Sequence, residues 1–177
     1  MKKVNHYNGI TREEILEVLE LRDGKFYWKT ALSNRVKIGQ EAGGVSKGYK
    51  RITLKGKLIP TSQMAFLCYH GWLPKDHTKY HIDHKDRDKL NNREDNLRCA
   101  TLGQNNMNKE SKKGSTSKYL GVYWQEAAKK WRAKIQIKKR QIHLGYFYIE
   151  EEAGKAYDEA AIKHFGEFAN LNFKRAV

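Results

Sequence analysis

The chain has 177 residues, with 35 Lys and Arg against 20 Asp and Glu, a formal net charge of +15 and a mean hydropathy of −0.85. No run approaches the roughly 18 consecutive apolar residues of a membrane-spanning helix, and the start MKKVNHYNGITREE has no apolar stretch after its lysines that would make a secretory signal. Four Trp, ten Tyr and six Phe within 39% hydrophobic residues suffice for a core, so the basic excess points to a polyanionic partner, first of all nucleic acid, and to an intracellular protein.

Taken in chain order, Thr11 followed by Glu14 is a capping-box signature, and Ile15, Leu16 and Leu19 give a short amphipathic helix that stops at Asp23-Gly24. Strands are expected at 25–29 and 49–54, with Gly43-Gly44 and Gly48 as turns. A helix over about 62–69 carries Met64, Ala65, Leu67 and Cys68 before Gly71 and Pro74 break it. Cys68 and Cys99 make neither a CxxC pair nor a disulfide framework, and read as buried or half-buried thiols in a reducing compartment.

The stretch 80–108 is too polar for a core element, yet its Asp, His and Asn recur in order. Ile82 leads into Asp83-His84, a turn-rich loop runs through Asn91-Asn92, and Asn96-Leu97-Arg98 begins a return. Ala100-Thr101 then opens a helix holding Gln104, Asn105 and Asn106. A hairpin plus a helix would gather Asp83, His84 and Asn105, and phosphodiester hydrolysis uses that kit. A hard divalent cation takes carboxylate and amide oxygens, and a neutral imidazole deprotonates water. Asp86, Asp88 and Asp95 read as turn and loop-capping residues.

After Met107 the chain runs polar to Lys118, which is linker chemistry. Strands are expected at 119–124, 131–137 and 141–147, the last two joined by the basic turn Lys138-Lys139-Arg140, and a helix at about 150–165 ending at Gly166. Residues 112–140 hold ten Lys and Arg and one acid, Glu126, whereas 141–177 is net −2, so the sheet rather than the helix should meet a polyanion. On the middle strand alternation places Ala133, Ile135 and Ile137 on one side and Arg132, Lys134 and Gln136 on the other.

Two resemblances rest on these residues. Asp83-His84, Asn91-Asn92, Asn96-Leu97 and Gln104-Asn105, in that order, resemble the HNH nuclease motif of the ββα-metal superfamily in its phage and intron-borne form, and 39–72 resembles what precedes it there. The resemblance implies His84 as general base and Asn96 as the brace of the loop that orients it. It implies Asp83 and Asn105 as ligands of one divalent cation, Mg²⁺ or Mn²⁺ rather than zinc, because Asn105 stands where many members end the motif in histidine. A register shifted by three would make His81 the base instead. Upstream of the motif, members often carry His-Arg just before a Leu-Ala-Phe/Trp helix, where Ser62-Gln63-Met64 stands here.

Downstream, Tyr119-Leu120-Gly121-Val122, Trp131-Arg132-Ala133-Lys134-Ile135, Leu144-Gly145-Tyr146-Phe147, Ala156-Tyr157-Asp158 and Leu171-Asn172-Phe173 resemble the APETALA2/ethylene-response-factor DNA-binding domain over 118–173. That resemblance implies a sheet lying in the major groove, with Tyr123, Lys134, Gln136, Gln141 and His143 at base-contacting positions. Arg132 shares their side of the sheet, and Lys138, Lys139 and Arg140 fix register on phosphates.

The expected fold class is α+β. A ββα-metal (HNH) nuclease domain occupies 1–108 with its core motif at 80–108, a basic linker 109–117, and 118–177 a three-stranded antiparallel sheet packed on one α-helix. The expected function is a divalent-metal-dependent DNA endonuclease, of homing or other mobile-element type, with the second domain choosing the site. It acts on double-stranded DNA as a monomer or homodimer, with no membrane and no small-molecule cofactor, in the cytoplasm of a bacterial host if phage-encoded. The alternatives are a sequence-specific DNA-binding regulator with a degenerate nuclease motif, and a basic RNA-associated protein.

Overall fold

The structure, a computed structural model, describes residues 1–107, 115–137 and 140–173. The chain divides into two compact units, Met1–Leu102 and Gly103–Val177.

The first unit is built from antiparallel hairpins around a buried helix. Thr11 caps the helix Arg12–Val18 in a complete capping box: the Thr11 hydroxyl accepts from the Glu14 N–H, and the Glu14 carboxylate accepts from the Thr11 N–H at 2.8 Å. The helix is shorter than the sequence pattern predicts. It ends at Val18, and Leu19–Arg22 is a strand paired with Lys25–Trp28. The reason is local. Asp23 and Gly24 have φ of 48° and 77°, the left-handed pair of a type I′ turn, whose twist suits two strands and does not end a helix. Asn8-Gly9, Lys47-Gly48 and Lys55-Gly56 close further hairpins with the same signs of φ.

The strand expected at 49–54 runs Tyr49–Leu54, and the helix expected near 62–69 runs Thr61–His70. Met64, Ala65 and Leu67 of that helix are fully buried among Ile10, Ile15, Leu19, Phe26, Ile52 and Ile59. Each such large side chain contributes about 1.5–3 kcal/mol by leaving water. Cys68 lies in this core, where burial pushes its thiol up to about 12. From the core the chain passes into the hairpin Tyr80–His84 and Leu97–Thr101, and then into the helix Leu102–Met107.

In the second unit Val122–Gln125, Lys130–Ile137 and Arg140–Phe147 form an antiparallel sheet in that order, and the helix Glu150–Phe165 packs against it. Ala133 and Ile135 are buried with Ala153, Tyr157 and Ala161 of the helix. The first strand begins later than the pattern predicts. Tyr119–Val122 is a turn closed by the Val122 N–H on the Tyr119 carbonyl, and Gly121 sits in it at φ 76°. A Cβ on Gly121 would lie 2.1 Å from the Tyr157 ring and 2.6 Å from the Lys134 carbonyl. Gly121→Ala should therefore cost this unit roughly 3–5 kcal/mol, overpacking and left-handed strain together, measured as a lowered melting transition.

The end of the unit is tied by polar contacts. The Asn172 side chain accepts from the Leu120 N–H at 2.6 Å, and the buried Asp158 carboxylate accepts the N–H groups of Asn172 and Phe173 at 2.8 and 2.9 Å. Burial pushes the Asp158 carboxyl above its ordinary 3.8, even though those N–H donors pull it down. The folded unit thus holds this proton more tightly than the unfolded chain. The associated stabilisation is complete below 3.8 and is lost as pH rises through the raised value. The difference in melting temperature between wild type and Asp158→Asn should fall across that window and be flat above it, as melts over a pH series would show.

Candidate active site and nucleic-acid interface

Asp83 and His84 are the last two residues of their strand, and both are buried, at 7% and 5% exposure. Asp83 pairs across the hairpin with Arg98, and His84 with Leu97. Arg98, its side chain 10% exposed, places Nε and Nη2 at 3.0 and 2.9 Å from Asp83 Oδ2. His84 Nε2 lies 3.0 Å from Asn92 Oδ1.

The loop between the strands is tied internally. The Lys85 N–H donates to the Asn96 carbonyl at 2.9 Å. Asn96 Oδ1 accepts from the Asp86 N–H at 3.0 Å, while its Nδ2 donates to Asp86 Oδ1 at 2.9 Å and to the Asn91 carbonyl at 2.7 Å. Asp86 also accepts from the Asp88 N–H and from Asn91 Nδ2, and Asp88 accepts from the Leu90 N–H. Asp86 and Asp88 are turn-capping residues, as their spacing suggests. Burial pushes the Asp86 carboxyl up, but the Asn91 and Asn96 donors outweigh it and hold it below the ordinary carboxylate value. His81, the alternative base, pairs with Ala100, and its Nε2 is buried with no hydrogen-bond partner among the described residues. The orienting contact belongs to His84.

Asn105 is half-buried on the helix Leu102–Met107, beyond the Leu102 boundary of the first unit. A carboxylate from Asp83 and an amide oxygen from Asn105 are hard donors, and that set suits Mg²⁺ or Mn²⁺. Among the described residues, no three His, Cys, Asp or Glu side chains gather into a metal-binding group.

In the second unit, Tyr123, Arg132, Lys134, Gln136, Gln141 and His143 lie on paired positions of one sheet: Tyr123 opposite Arg132, Lys134 opposite His143, Gln136 opposite Gln141. Arg132 Nε donates to His143 Nδ1 at 3.2 Å, and Lys134 Nζ reaches Gln141 Oε1 at 3.5 Å. The Lys134 ammonium stands 4.7 Å from the Tyr123 ring centre, and Arg132 lies between Tyr123 and Tyr146, 5.7 and 5.8 Å from their centres. These contacts hold two cations extended over aromatic faces. Arg140 is exposed at the start of its strand, and Lys138 and Lys139 lie outside the described residues.

Asn92, Arg98 and Tyr146 carry no role that the sequence patterns point to. Asn92 stood inside the recognised Asn91-Asn92, and Arg98 needed only the hairpin register to be placed opposite Asp83. Tyr146 has the wrong parity to share a face with Gln141 and His143 on a regular strand. Between Ala133 and Lys134 the partners step from Gly145 to His143, leaving Leu144 as the extra residue of a bulge in Tyr146's own strand, so Arg132 stands opposite Tyr146 while Lys134 faces His143.

Residues 61–107 match the family model described as HNH endonuclease. The chain is 35% identical over 107 residues to the uncharacterized HNH endonuclease L560 of Acanthamoeba polyphaga mimivirus, covering 60% of this chain and 52% of that protein. Protein 3.8 of Escherichia phage T7 is 35% identical over 72 residues, 41% of this chain and 57% of its own length. The AP2/ERF and B3 domain-containing transcription repressor TEM1 of Arabidopsis thaliana is 40% identical over 74 residues, 42% of this chain and 20% of its own. The chain thus spans just over half of each viral relative and a fifth of the plant one. No helix among the described residues is long and apolar enough to cross a membrane. The HNH match lies over the hairpin that bears Asp83 and His84, and the chain is similar both to a viral HNH endonuclease and to plant AP2/ERF proteins.

Proposed function

We propose that the chain is a divalent-metal-dependent DNA endonuclease of the homing or other mobile-element type, cutting double-stranded DNA with its first module and selecting the site with the sheet of its second. The observation that carries this reading is the buried Asp83-His84 pair at a strand end, beside a loop braced by Asn96, inside the HNH match. His84 takes the proton from the attacking water. Asn96 holds the 85–96 loop against the strand end, and Asp83 with Asn105 would hold the ion. When bound, Mg²⁺ or Mn²⁺ offsets charge on the phosphate and on the leaving 3′ oxygen. In-line hydrolysis then leaves 5′-phosphate and 3′-hydroxyl ends.

Site choice falls to Lys134, Gln136 and their neighbours at base edges, with Lys138, Lys139 and Arg140 on phosphates. One observation favours a second reading, a DNA-binding regulator that does not cut: the Asp83 carboxylate is already engaged by a guanidinium. Incubating the protein with a random-sequence DNA library in Mg²⁺, with and without EDTA, and mapping the ends separates the two. The nuclease yields clustered 5′-phosphate ends that EDTA abolishes. Site-selective binding untouched by EDTA, with no scission, would establish the regulator.

A further inference from the structure

We propose that Asn92 and Thr61 are positioning residues that determine which ring nitrogen of His84 serves as the base, an inference that deepens the nuclease reading and rests on it. Thr61, His84 and Asn92 are buried, at 3%, 5% and 2% exposure. The Thr61 hydroxyl donates to the Lys50 carbonyl at 3.1 Å. A carbonyl carries no proton, so the hydroxyl direction is set, and Thr61 Oγ1 accepts from Asn92 Nδ2 at 3.1 Å. The same amide nitrogen donates to the Leu90 carbonyl at 3.4 Å. Both contacts demand the nitrogen end of the amide, so its oxygen must face His84 Nε2.

An amide oxygen only accepts, and Nε2 therefore carries the ring proton. In the neutral imidazole the lone pair belongs to Nδ1. The Asn92 backbone is held too. A Cβ on Gly24 would lie 2.5 Å from the Asn92 carbonyl carbon, so the Asp23-Gly24 turn presses directly on it, and the Arg93 guanidinium meets Asp23 at 3.3 Å. The Tyr49–Leu54 strand, the first residue of the core helix and a hairpin turn thus converge on one amide. A base that receives a proton on one nitrogen needs the other already protonated, and losing a tautomer-setting partner can lower a rate by up to about ten-thousandfold.

The test uses full-length ¹⁵N-labelled protein and long-range ¹H–¹⁵N spectra at one pH where the imidazole is neutral, with His84 identified by the signals missing from His84→Ala. Wild type should show the protonated-type signal on Nε2 and the lone-pair type on Nδ1. Asn92→Leu, which has no acceptor, should mix or reverse these forms and slow single-turnover cleavage of supercoiled plasmid in Mg²⁺ by roughly ten- to a hundredfold, with little change in DNA affinity. Asn92→Asp keeps an acceptor at Nε2 and should restore the wild-type tautomer and much of the lost rate. Thr61→Val, which leaves the site side chains in place, should mix the tautomers even if Asn92→Leu does not fold. A wild-type proton on Nδ1, or unaltered tautomers in the variants, would overturn the inference. Mixed tautomers with undiminished cleavage would overturn the positioning role alone. No wild-type cleavage in Mg²⁺ or Mn²⁺, with the tautomer as described, would instead overturn the nuclease reading and the base assignment with it.

Discussion

Replacing His84 with alanine should slow the first turnover of plasmid cleavage by about a hundredfold to ten-thousandfold, the usual contribution of a general base, while DNA affinity stays near that of wild type. Affinity should be insulated because His84 is buried, at 5% exposure. Some stability is lost as well. Removing the imidazole leaves buried Asn92 Oδ1 without the donor it had at 3.0 Å, a cost of about 1–3 kcal/mol. Cleavage should therefore be compared at saturating DNA and below the variant's melting transition, and free imidazole should return part of the rate. Equal cutting by wild type and His84→Ala under those conditions would remove His84 from the mechanism.

Arg98→Ala should destabilise the first unit by about 3–5 kcal/mol, the cost of leaving one partner of a buried ion pair alone. The side chains of Arg98 and Asp83 are 10% and 7% exposed, and both guanidinium contacts go to one carboxylate oxygen. The paired replacement Asp83→Leu with Arg98→Met should recover much of the stability, because apolar packing can stand in for a desolvated ion pair. Urea denaturation of the two single variants and the double gives the coupling directly. A loss below about 1 kcal/mol for Arg98→Ala would mean that the pair behaves as an exposed one.

The same pair bears on metal loading. Asp83 serves both as the inferred cation ligand and as the counter-charge of Arg98, so binding of a divalent ion sets two cations against one carboxylate.

Features governed by neighbours in the chain were legible in the sequence alone. The Thr11–Glu14 capping box and the helix Glu150–Phe165 formed where composition and spacing place them, and so did the inward Ala133 and Ile135. The order of Asp, His and Asn between 83 and 105 marked the candidate site, because that chemistry depends on residue type and order. The helix expected to reach Asp23-Gly24 ends at Val18 for a local reason, since an Asp-Gly pair with positive φ closes a hairpin.

What only the tertiary structure decided is which side chain holds which. Thr61 and Asn92 are 31 positions apart and touch because the core helix packs beneath the loop. Arg98 meets Asp83 through strand register, and Tyr146 joins the cationic face through a one-residue bulge. Pairings of this kind are set by packing between distant segments and by parity shifts that no local pattern carries.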